Sequence, residues 1–421
     1  MSVAALAGMM SLAACSSDDI VSPADNDVQT IKIAVASTGD KSTRSRDLNS
    51  EEPGQNIENV AVVIRDKANK VVYQKVITDW QTASNIYTDN GHGREYTLKL
   101  EKGKRLKAGE YTITAVGYTA GDFKSNTILD ATEGNVAAGN FTAEEADGKA
   151  AQEAFAGESS INLLEDYAAI NPSVTLHRQV AGYYGYFTSI PVEVNSKKVT
   201  NVRLVARSKN TKLTYGNFNS SFTTTNDKIM YVVNGSEPAT TKDAKFKGSA
   251  DNDAYTVYNI KVDAWFTHGD MNNDGILDEK DALIKDGWTN ALADKGYLTY
   301  QPGTIFAGGF AVPFAATADA TLELQLLDVS GEILKSWTVA MATAQSAGQG
   351  VDGVALTVPE TTQNFSFFRN HMYTLGKKVD NTKDKPGTTT PDEPEPLDKS
   401  QSMILRVNDN WEVINRMTIG D

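Results

Sequence analysis

Short segments in which every second residue is apolar recur along the whole chain. Near one end, Thr30–Ala36 places Ile31, Ile33 and Val35 on a single face. Near the other end, seven of the nine odd-numbered positions from 403 to 419 are apolar: Met403, Leu405, Val407, Trp411, Val413, Met417 and Ile419. Alternation with a period of two is the mark of a β-strand with one buried face. The chain is therefore predicted to fold mainly from β-strands.

The spacing of these segments predicts the architecture. Many short strands with few helical stretches indicate an all-β fold of tandem β-sandwiches, of the transthyretin-like or Greek-key kind. A chain of 421 residues has room for two such domains. We expect an N-terminal sandwich over residues 30–172 and a C-terminal one over residues 173–376, with the boundary near Pro172. One Ala- and Glu-rich stretch, Thr142–Ala156, is predicted to be helical.

The segment after the second domain is polar and rich in proline. Residues 377–400 carry Pro386, Pro391, Pro394 and Pro396, which keep a chain extended and unable to build a core. This linker leads to residues 401–421, the second alternating segment described above. That tail either folds back onto its own domain, with a turn at Asn408–Asn410, or docks as a donor strand into another molecule.

The first residues predict export. Val3–Ala14 is apolar or small and ends in Leu12-Ala13-Ala14-Cys15, which resembles the signal peptide of a bacterial lipoprotein. Residues 1–14 are then expected to be removed, Cys15 to be lipidated, and residues 15–29 to form a tether. The alternative is a free cysteine in an unstructured leader. Cys15 is the only cysteine of the chain, so no intrachain disulfide is expected.

Composition argues against two classes of function. The formal net charge is −14, with 54 acidic and 40 basic side chains, whereas nucleic-acid binding requires a basic surface. The four histidines are scattered, and no nucleophile elbow, zinc-binding histidine pair or phosphate-binding glycine loop occurs in the sequence. We therefore expect neither a nucleic-acid partner nor an enzyme.

One loop has the spacing of a calcium site. In residues 270–281, oxygen-bearing side chains occupy loop positions 1, 3, 5, 9 and 12, and Gly275 lies where the chain must turn sharply. The expected ligands of a structural Ca²⁺ are Asp270, Asn272, Asp274, the carbonyl of Ile276, Asp278 and Asp281. The alternative is an Asn- and Asp-rich surface turn that binds no ion. The loop looks like a single dockerin-type repeat, because position 12 is Asp and not Glu.

A cluster of aromatic residues has two interpretations. Tyr183, Tyr184, Tyr186 and Phe187 lie within one predicted strand. They either form a carbohydrate-binding platform or pack into the core, and aromatic residues in strands usually pack. The core interpretation is the favoured one.

The order of these features resembles that of the fimbrillins, the major fimbrial subunits of Bacteroidales. The similarity spans nearly the whole chain and includes the lipoprotein leader, the first strand with its polar loop, the linker and the final alternating segment. The segments that carry the resemblance between leader and tail are Thr43-Arg44, Ile57–Ile64, Gly109–Ala115, Leu176–Ala181 and Arg369–Tyr373.

The resemblance implies a mode of assembly. Fimbrillins reach the outer membrane surface as lipoproteins, and a trypsin-like or arginine-specific protease cuts behind the first strand. Arg44 and Arg46 are the matching candidates here. Loss of the first strand, with Ile31, Ile33 and Val35, opens a groove that the C-terminal strand of a neighbouring copy fills. The expected role is thus a fimbrial shaft subunit that supports adhesion. The alternatives are a tip or anchor subunit, or a surface glycan-binding lipoprotein.

Overall fold

The computed structural model describes twelve stretches of the chain: residues 29–35, 57–86, 94–146, 151–216, 233–282, 301–315, 322–341, 367–376, 394–398, 404–405, 413–414 and 417–420. Cys15, Arg44 and Arg46 lie outside them. Within these stretches nearly all regular structure is β-strand, with one short helix (α1, Trp80–Ala83) and a few 3₁₀ turns. The prediction of an all-β fold is confirmed.

The first half of the chain supplies ten strands. They are β1 (Thr30–Val35), β2 (Asn59–Asp66), β3 (Val71–Ile77), β4 (Asn85–Ile86), β5 (Arg94–Lys99), β6 (Gly109–Tyr118), β7 (Phe123–Asn126), β8 (Thr142–Glu145), β9 (Phe155–Leu163) and β10 (Ser173–Arg178). Eight of them form one continuous sheet in the order β3-β2-β6-β9-β10-β1-β5-β4.

This sheet folds over on itself at β10. Residues 173–176 of β10 pair with β1, whereas His177 and Arg178 pair with β9. The two layers enclose one core, to which β1, β2, β5, β6, β9 and β10 all contribute buried aliphatic side chains. Trp80 of α1 is fully buried in the same core. The N-terminal sandwich is thus a single curled sheet, and β1 is an interior strand of it.

The second half builds another sandwich. Its strands are β11 (Ala181–Thr188), β12 (Ile190–Pro191), β13 (Glu193–Val194), β14 (Lys197–Lys198), β15 (Asn201–Ala206), β16 (Asn210–Thr214), β17 (Gly235–Pro238), β18 (Tyr255–Lys261), β19 (Ile276–Leu277), β20 (Ile305–Ala311), β21 (Leu322–Leu327), β22 (Ile333–Met341), β23 (His371–Leu375), β24 (Glu395–Pro396), β25 (Ile404–Leu405), β26 (Val413–Ile414) and β27 (Met417–Gly420). One layer has the order β20-β11-β23-β26, with β24 also paired to β11, and the other has the order β18-β15-β21-β22-β27-β25.

The N-terminal and C-terminal halves of the chain share strands that the sequence assigns to separate domains. Strand β10, which the sequence analysis assigned to residues 173–376, belongs to the N-terminal sandwich because it pairs with β1 and β9 and buries Val174 and Leu176 in that core. A further four-stranded sheet, β17-β16-β8-β7, takes two strands from each half. Val180 and Ala181 belong to two different buried clusters, so the change from one core to the next lies eight residues beyond the boundary expected near Pro172.

The helix predicted over Thr142–Ala156 is wrong. The described residues of this stretch include strand β8 and the start of β9. β8 is paired on both sides, with β7 and with β16. Backbone pairing on two sides therefore overrides the local helix propensity of its Ala and Glu residues.

The proline-rich linker contains an anchor that its composition hides. Leu397 is fully buried in the core of the C-terminal sandwich. Its backbone N–H donates to the carbonyl of Thr188 at 3.0 Å, and Glu395–Pro396 pairs with the end of β11. The expectation that residues 377–400 contribute nothing to a core is therefore wrong at Leu397. Residues 395–397 therefore belong to the C-terminal sandwich.

We predict that docking of this anchor depends on pH through Glu395. Burial raises the pKa of the Glu395 carboxyl from 4.5 to about 7. The folded chain thus binds the proton more tightly than the unfolded chain, so stability should fall as pH rises from 4.5 to about 7 and then level off. Glu395→Gln should remove this slope in urea-unfolding midpoints measured between pH 5 and pH 8.

His371 also titrates in this pH range, so the pH dependence of Glu395→Gln must be compared with that of the parent protein. Burial lowers the pKa of His371 from 6.5 to about 4, which removes stability as pH falls through that interval. The two groups act in opposite directions, so the difference between parent and Glu395→Gln isolates the carboxyl. Parallel pH profiles for the two proteins would contradict the assignment.

Candidate functional site

The first strand lies inside the N-terminal sheet and is bonded on both sides. β1 pairs in parallel with β10, from Lys32↔Ser173 to Val35↔Leu176, and antiparallel with β5, from Thr30↔Lys99 to Ala34↔Glu95. β1 is the first described segment of the chain, and residues 36–56, which connect it to β2, lie outside the described residues.

The inward face of β1 fills the core. Ile31 and Ile33 are both fully buried. The same buried cluster contains Leu98, Leu100, Leu106, Val174 and Leu176 from the flanking strands and loops, together with Trp80 from α1. Burial of two isoleucine side chains contributes about 3–6 kcal/mol relative to their exposure. The backbone of Val35 continues the ladder with Leu176, while its side chain lies outside what the structure describes.

A buried amide precedes these two isoleucines. The side chain of Gln29 is fully buried. Its Nε2 donates to the carbonyls of Leu106 at 3.0 Å and Ala168 at 2.9 Å, and its Oε1 accepts from the N–H of Leu106 at 2.6 Å. The backbone carbonyl of Gln29 also accepts from the N–H of Leu100 at 2.9 Å. Gln29 therefore fixes where β1 enters the sheet.

The sequence analysis missed Gln29 and assigned it to the tether. The alternation of the strand could have revealed it, because residue 29 lies on the same face as residues 31 and 33. A polar residue at a position expected to be apolar usually indicates that the strand has ended. The exception is a position next to buried backbone groups that need the side-chain amide as a hydrogen-bond partner.

The outward face of β1 makes weaker contacts. The Lys32 ammonium lies 2.7 Å from the Glu95 carboxylate, with both side chains partly exposed. The Thr30 hydroxyl lies 3.2 Å from the carbonyl of Ile170 and 3.2 Å from Oδ1 of Asn171. Exposed ion pairs contribute at most about 1 kcal/mol. The inward face and the two hydrogen-bonded ladders therefore hold β1 in place.

This arrangement defines the candidate site, which we name the β1 groove: the slot between β5 and β10 that residues 29–35 occupy. Without β1, the slot would have apolar walls and two facing rows of unpaired backbone groups. An open edge of that kind recruits another strand. The chemistry available here is strand binding, with apolar contacts on alternate residues and a buried polar contact at one end.

The predicted donor segment is described in three short pieces. β25, β26 and β27 contain Leu405, Val413, Met417 and Ile419, and their side chains lie outside the description, as do Met403, Val407 and Trp411 altogether. The backbone of β27 pairs antiparallel with β22 and with β25, and β26 pairs in parallel with β23. In this structure the tail therefore extends both layers of its own C-terminal sandwich.

The predicted calcium loop is a compact turn with most of its carboxylates already hydrogen-bonded. The two oxygens of Asp281 accept from the backbone N–H groups of Met271 at 2.8 Å and Asp278 at 3.0 Å. Gly275 has a positive φ of 84°, and its N–H donates to Oδ2 of Asp270 at 2.8 Å. The N–H of Asp274 donates to Oδ1 of Asn272 at 3.0 Å. Ile276 lies in β19, which pairs with β12.

A lysine already places positive charge within this loop. Lys280 Nζ lies 2.8 Å from Asp274 Oδ2 and 3.6 Å from Asp278 Oδ2. Its hydrogen bond lowers the pKa of the Asp274 carboxyl. One oxygen, Oδ1 of Asp270, is buried without a hydrogen-bond partner. Among the residues described, no group of three or more Asp, Glu, His or Cys side chains is arranged to hold a metal ion. Calcium binding by residues 270–281 stays a prediction.

The aromatic cluster belongs to the core. Tyr183, Tyr184, Tyr186 and Phe187 of β11 are all buried, with at most 6% of any of them exposed. Tyr184 and Tyr186 stack with ring centroids 6.1 Å apart. The core interpretation of these residues is confirmed, and they offer no open platform for a sugar.

Comparisons with known proteins yield only distant likenesses. No protein-family model matches the chain, and no curated protein sequence is significantly similar to it. A fimbrial assembly protein from Parabacteroides distasonis has a TM-score of 0.37 and 12% identity, covering 93% of this chain and 98% of that one. The fimbrial anchor protein Mfa2 from Porphyromonas gingivalis has a TM-score of 0.37 and 12% identity, covering 83% and 90%. Similarities this low carry no argument about function.

Within the described stretches, no helix combines the length and the apolar character needed to cross a bilayer.

We predict that Gln29→Leu destabilises the N-terminal sandwich although leucine suits an apolar core. The substitution leaves the N–H of Leu106 and the carbonyl of Ala168 without their partner, while the carbonyl of Leu106 keeps the N–H of Tyr167 at 3.0 Å. The two unpaired groups should cost at least about 1–3 kcal/mol. Lys32→Gln, which removes only a partly exposed ion pair, should cost no more than about 1 kcal/mol. Urea unfolding followed by tryptophan fluorescence measures both, and equal effects would contradict the anchoring role of Gln29.

We predict that calcium raises the melting temperature through residues 270–281. A ligand present at a hundred times its dissociation constant stabilises the folded state by about 2.7 kcal/mol. Asp270→Ala combined with Asp274→Ala should abolish the rise. Lys280→Met should increase it, because the ion would no longer compete with the ammonium. Asp328→Ala, which alters a similar turn elsewhere, is the control and should leave the calcium response intact. No response in the parent protein would refute the site.

Proposed function

We propose that this chain is a structural subunit of a surface fimbria that polymerises head to tail by strand exchange at the β1 groove. A protease would cut after Arg44 or Arg46, and β1 would leave. The C-terminal segment of a neighbouring copy would then take its place. In this proposal the precursor is exported as a lipoprotein through Cys15 and is held at the outer membrane by its lipid until it matures.

The observation that carries the proposal is the position of β1. Its backbone is bonded on both sides and its inward side chains are buried, yet it is joined to the rest of the described chain only through residues 36–56. A single cut in that connection would turn an integral strand into a separate ligand.

The geometry of the groove requires an extended segment as its occupant. A replacement strand must lie between β5 and β10 over its whole length, with apolar residues on alternate positions. The segment over residues 401–421 has that alternation. A contact between the groove of one copy and the tail of the next uses two different surfaces, so it does not close on itself and generates a filament.

One observation favours a second candidate function, a terminal anchor subunit. The described parts of the tail pair with β22 and β23 of their own chain. A subunit that ends a filament needs an open groove but no free donor strand. If the tail stays in this position after cleavage, the chain would accept a neighbour without passing the filament on.

Limited proteolysis tests the proposal. Trypsin treatment of the purified chain should produce a new N-terminus at Ser45 or Asp47 and then filaments or ladders of oligomers. Arg44→Ala combined with Arg46→Ala should remain monomeric when an arginine-specific protease replaces trypsin, which could still cut after Lys41. Deletion of residues 403–421 should leave cleavage intact and prevent polymerisation.

The outcomes separate the candidates. Polymerisation of the protein that lacks residues 403–421 would refute the role of the tail as donor. A cleaved full-length chain that stays monomeric, but caps the growing end of a filament supplied to it, would identify an anchor.

A further inference from the structure

Two heptapeptides at opposite ends of the chain have the same pattern. Residues 29–35 read Gln-Thr-Ile-Lys-Ile-Ala-Val, and residues 401–407 read Gln-Ser-Met-Ile-Leu-Arg-Val. Both start with glutamine and a small hydroxyl residue, and both place apolar residues at the third, fifth and seventh positions. In a strand these odd positions share one face with the first.

We propose that residues 401–407 of a second copy enter the β1 groove in the register and direction of β1 itself, with Gln401 in the place of Gln29. The proposal rests on the strand-exchange function proposed above and specifies which part of the tail is inserted and how. Met403, Leu405 and Val407 then take the places of Ile31, Ile33 and Val35.

The first position is the most demanding one. The groove presents the N–H and carbonyl of Leu106 and the carbonyl of Ala168, all of which are bonded by the Gln29 side chain. A replacement strand with an apolar residue here would leave the buried N–H of Leu106 and the partly buried carbonyl of Ala168 unpaired, since only the Leu106 carbonyl has a second donor, the N–H of Tyr167. Gln401 has the same side chain as Gln29, so it reaches the same partners from the same backbone position.

On the outward face this register keeps a cation near Glu95, although Ile404 takes the place of Lys32. Glu95 is directly opposite position 34 across the antiparallel ladder, and in β1 it is neutralised diagonally by Lys32. Residue 406 takes position 34, which places an arginine opposite that carboxylate. Ser402 takes the position of Thr30, whose hydroxyl lies 3.2 Å from the carbonyl of Ile170. Opposite charges paired across a ladder stabilise it.

A second register is available, and it fits less well. Residues 415–421 read Asn-Arg-Met-Thr-Ile-Gly-Asp, with an amide followed by apolar residues at the third and fifth positions. The asparagine side chain is one methylene shorter than that of Gln29. Gly420 would lie opposite Glu95 and offer no cation, and Asp421 would take the seventh position in place of a valine.

The anchor at Leu397 sets the reach of the donor. Four residue steps separate Leu397 from Gln401, which span at most about 14 Å when fully extended. If Leu397 stays buried in its own sandwich, the C-terminal sandwich of the donor must contact the N-terminal sandwich of the acceptor directly. The register of residues 415–421 would allow a much longer connection.

Disulfide trapping tests the register, because the chain has a single native cysteine, Cys15. In a Cys15→Ser background, Glu95→Cys with Arg406→Cys places two thiols at directly opposite positions of an antiparallel pair. The Cα separation there is about 4.5–5.5 Å, within the range of a disulfide. After trypsin treatment this protein should give a ladder of covalent oligomers that a reductant collapses. The matched alternative is Glu95→Cys with Gly420→Cys, which should give little or none.

A substitution without cysteines provides a second measurement. Gln401→Leu should increase the rate at which polymers dissociate in urea by roughly tenfold or more, whereas Asn415→Leu should leave that rate unchanged. Monomer folding before cleavage is checked by its resistance to urea. The reverse ranking of the two variants would overturn the proposed register.

The results distinguish a wrong register from a wrong function. Covalent ladders from the Gly420→Cys pair, and none from the Arg406→Cys pair, would overturn the register and leave strand exchange intact. Filaments that form without either crosslink would show that the donor enters in another register or direction. Failure of the cysteine-free chain, after cleavage, both to polymerise and to cap a filament supplied to it would refute strand exchange itself, and this proposal with it.

Discussion

The structure of the N-terminal sandwich depends on β1, an interior strand that backbone pairing and buried side chains hold between β5 and β10. β1 completes two hydrogen-bonded ladders and closes the apolar core with Ile31 and Ile33. Among the described strands, β5 has no other partner on the side of β1, so the curled sheet of the N-terminal sandwich is continuous only while that place is filled. Whatever removes β1 must therefore be followed by a strand that replaces it.

Replacement of one strand by a similar strand changes the free energy little, because ladders, apolar contacts and the buried amide contact are exchanged for equivalents. The direction of the exchange then depends on two local terms. Cleavage removes the covalent link that keeps β1 near its groove, which lowers its effective concentration. Pairing of β27 with β22 and of β26 with β23 opposes release of the tail. The strength of this tail pairing is what distinguishes a shaft subunit from a terminal one.

The sequence predicts strands better than it predicts their partners. Alternation identifies β1, but nothing in the sequence of β10 reveals that this strand bends from one layer to the other. The helix predicted over Thr142–Ala156 failed because pairing on both edges outweighs propensity. Gln29 and Leu397 were not predicted to be buried, for opposite reasons. Gln29 is a polar residue on the core-facing side of a strand, and Leu397 is an aliphatic residue in a polar linker. Their roles depend on contacts with residues far away in sequence.

Hydrogen exchange at the two walls of the β1 groove tests the central claim most directly. The backbone amides of β5 and of residues 173–176 should be protected in the intact monomer and exposed in cleaved protein that lacks residues 401–421. They should be protected again in filaments of the cleaved full-length chain. Protection that persists in the cleaved protein without its tail would contradict the account, because the groove would then need no donor strand.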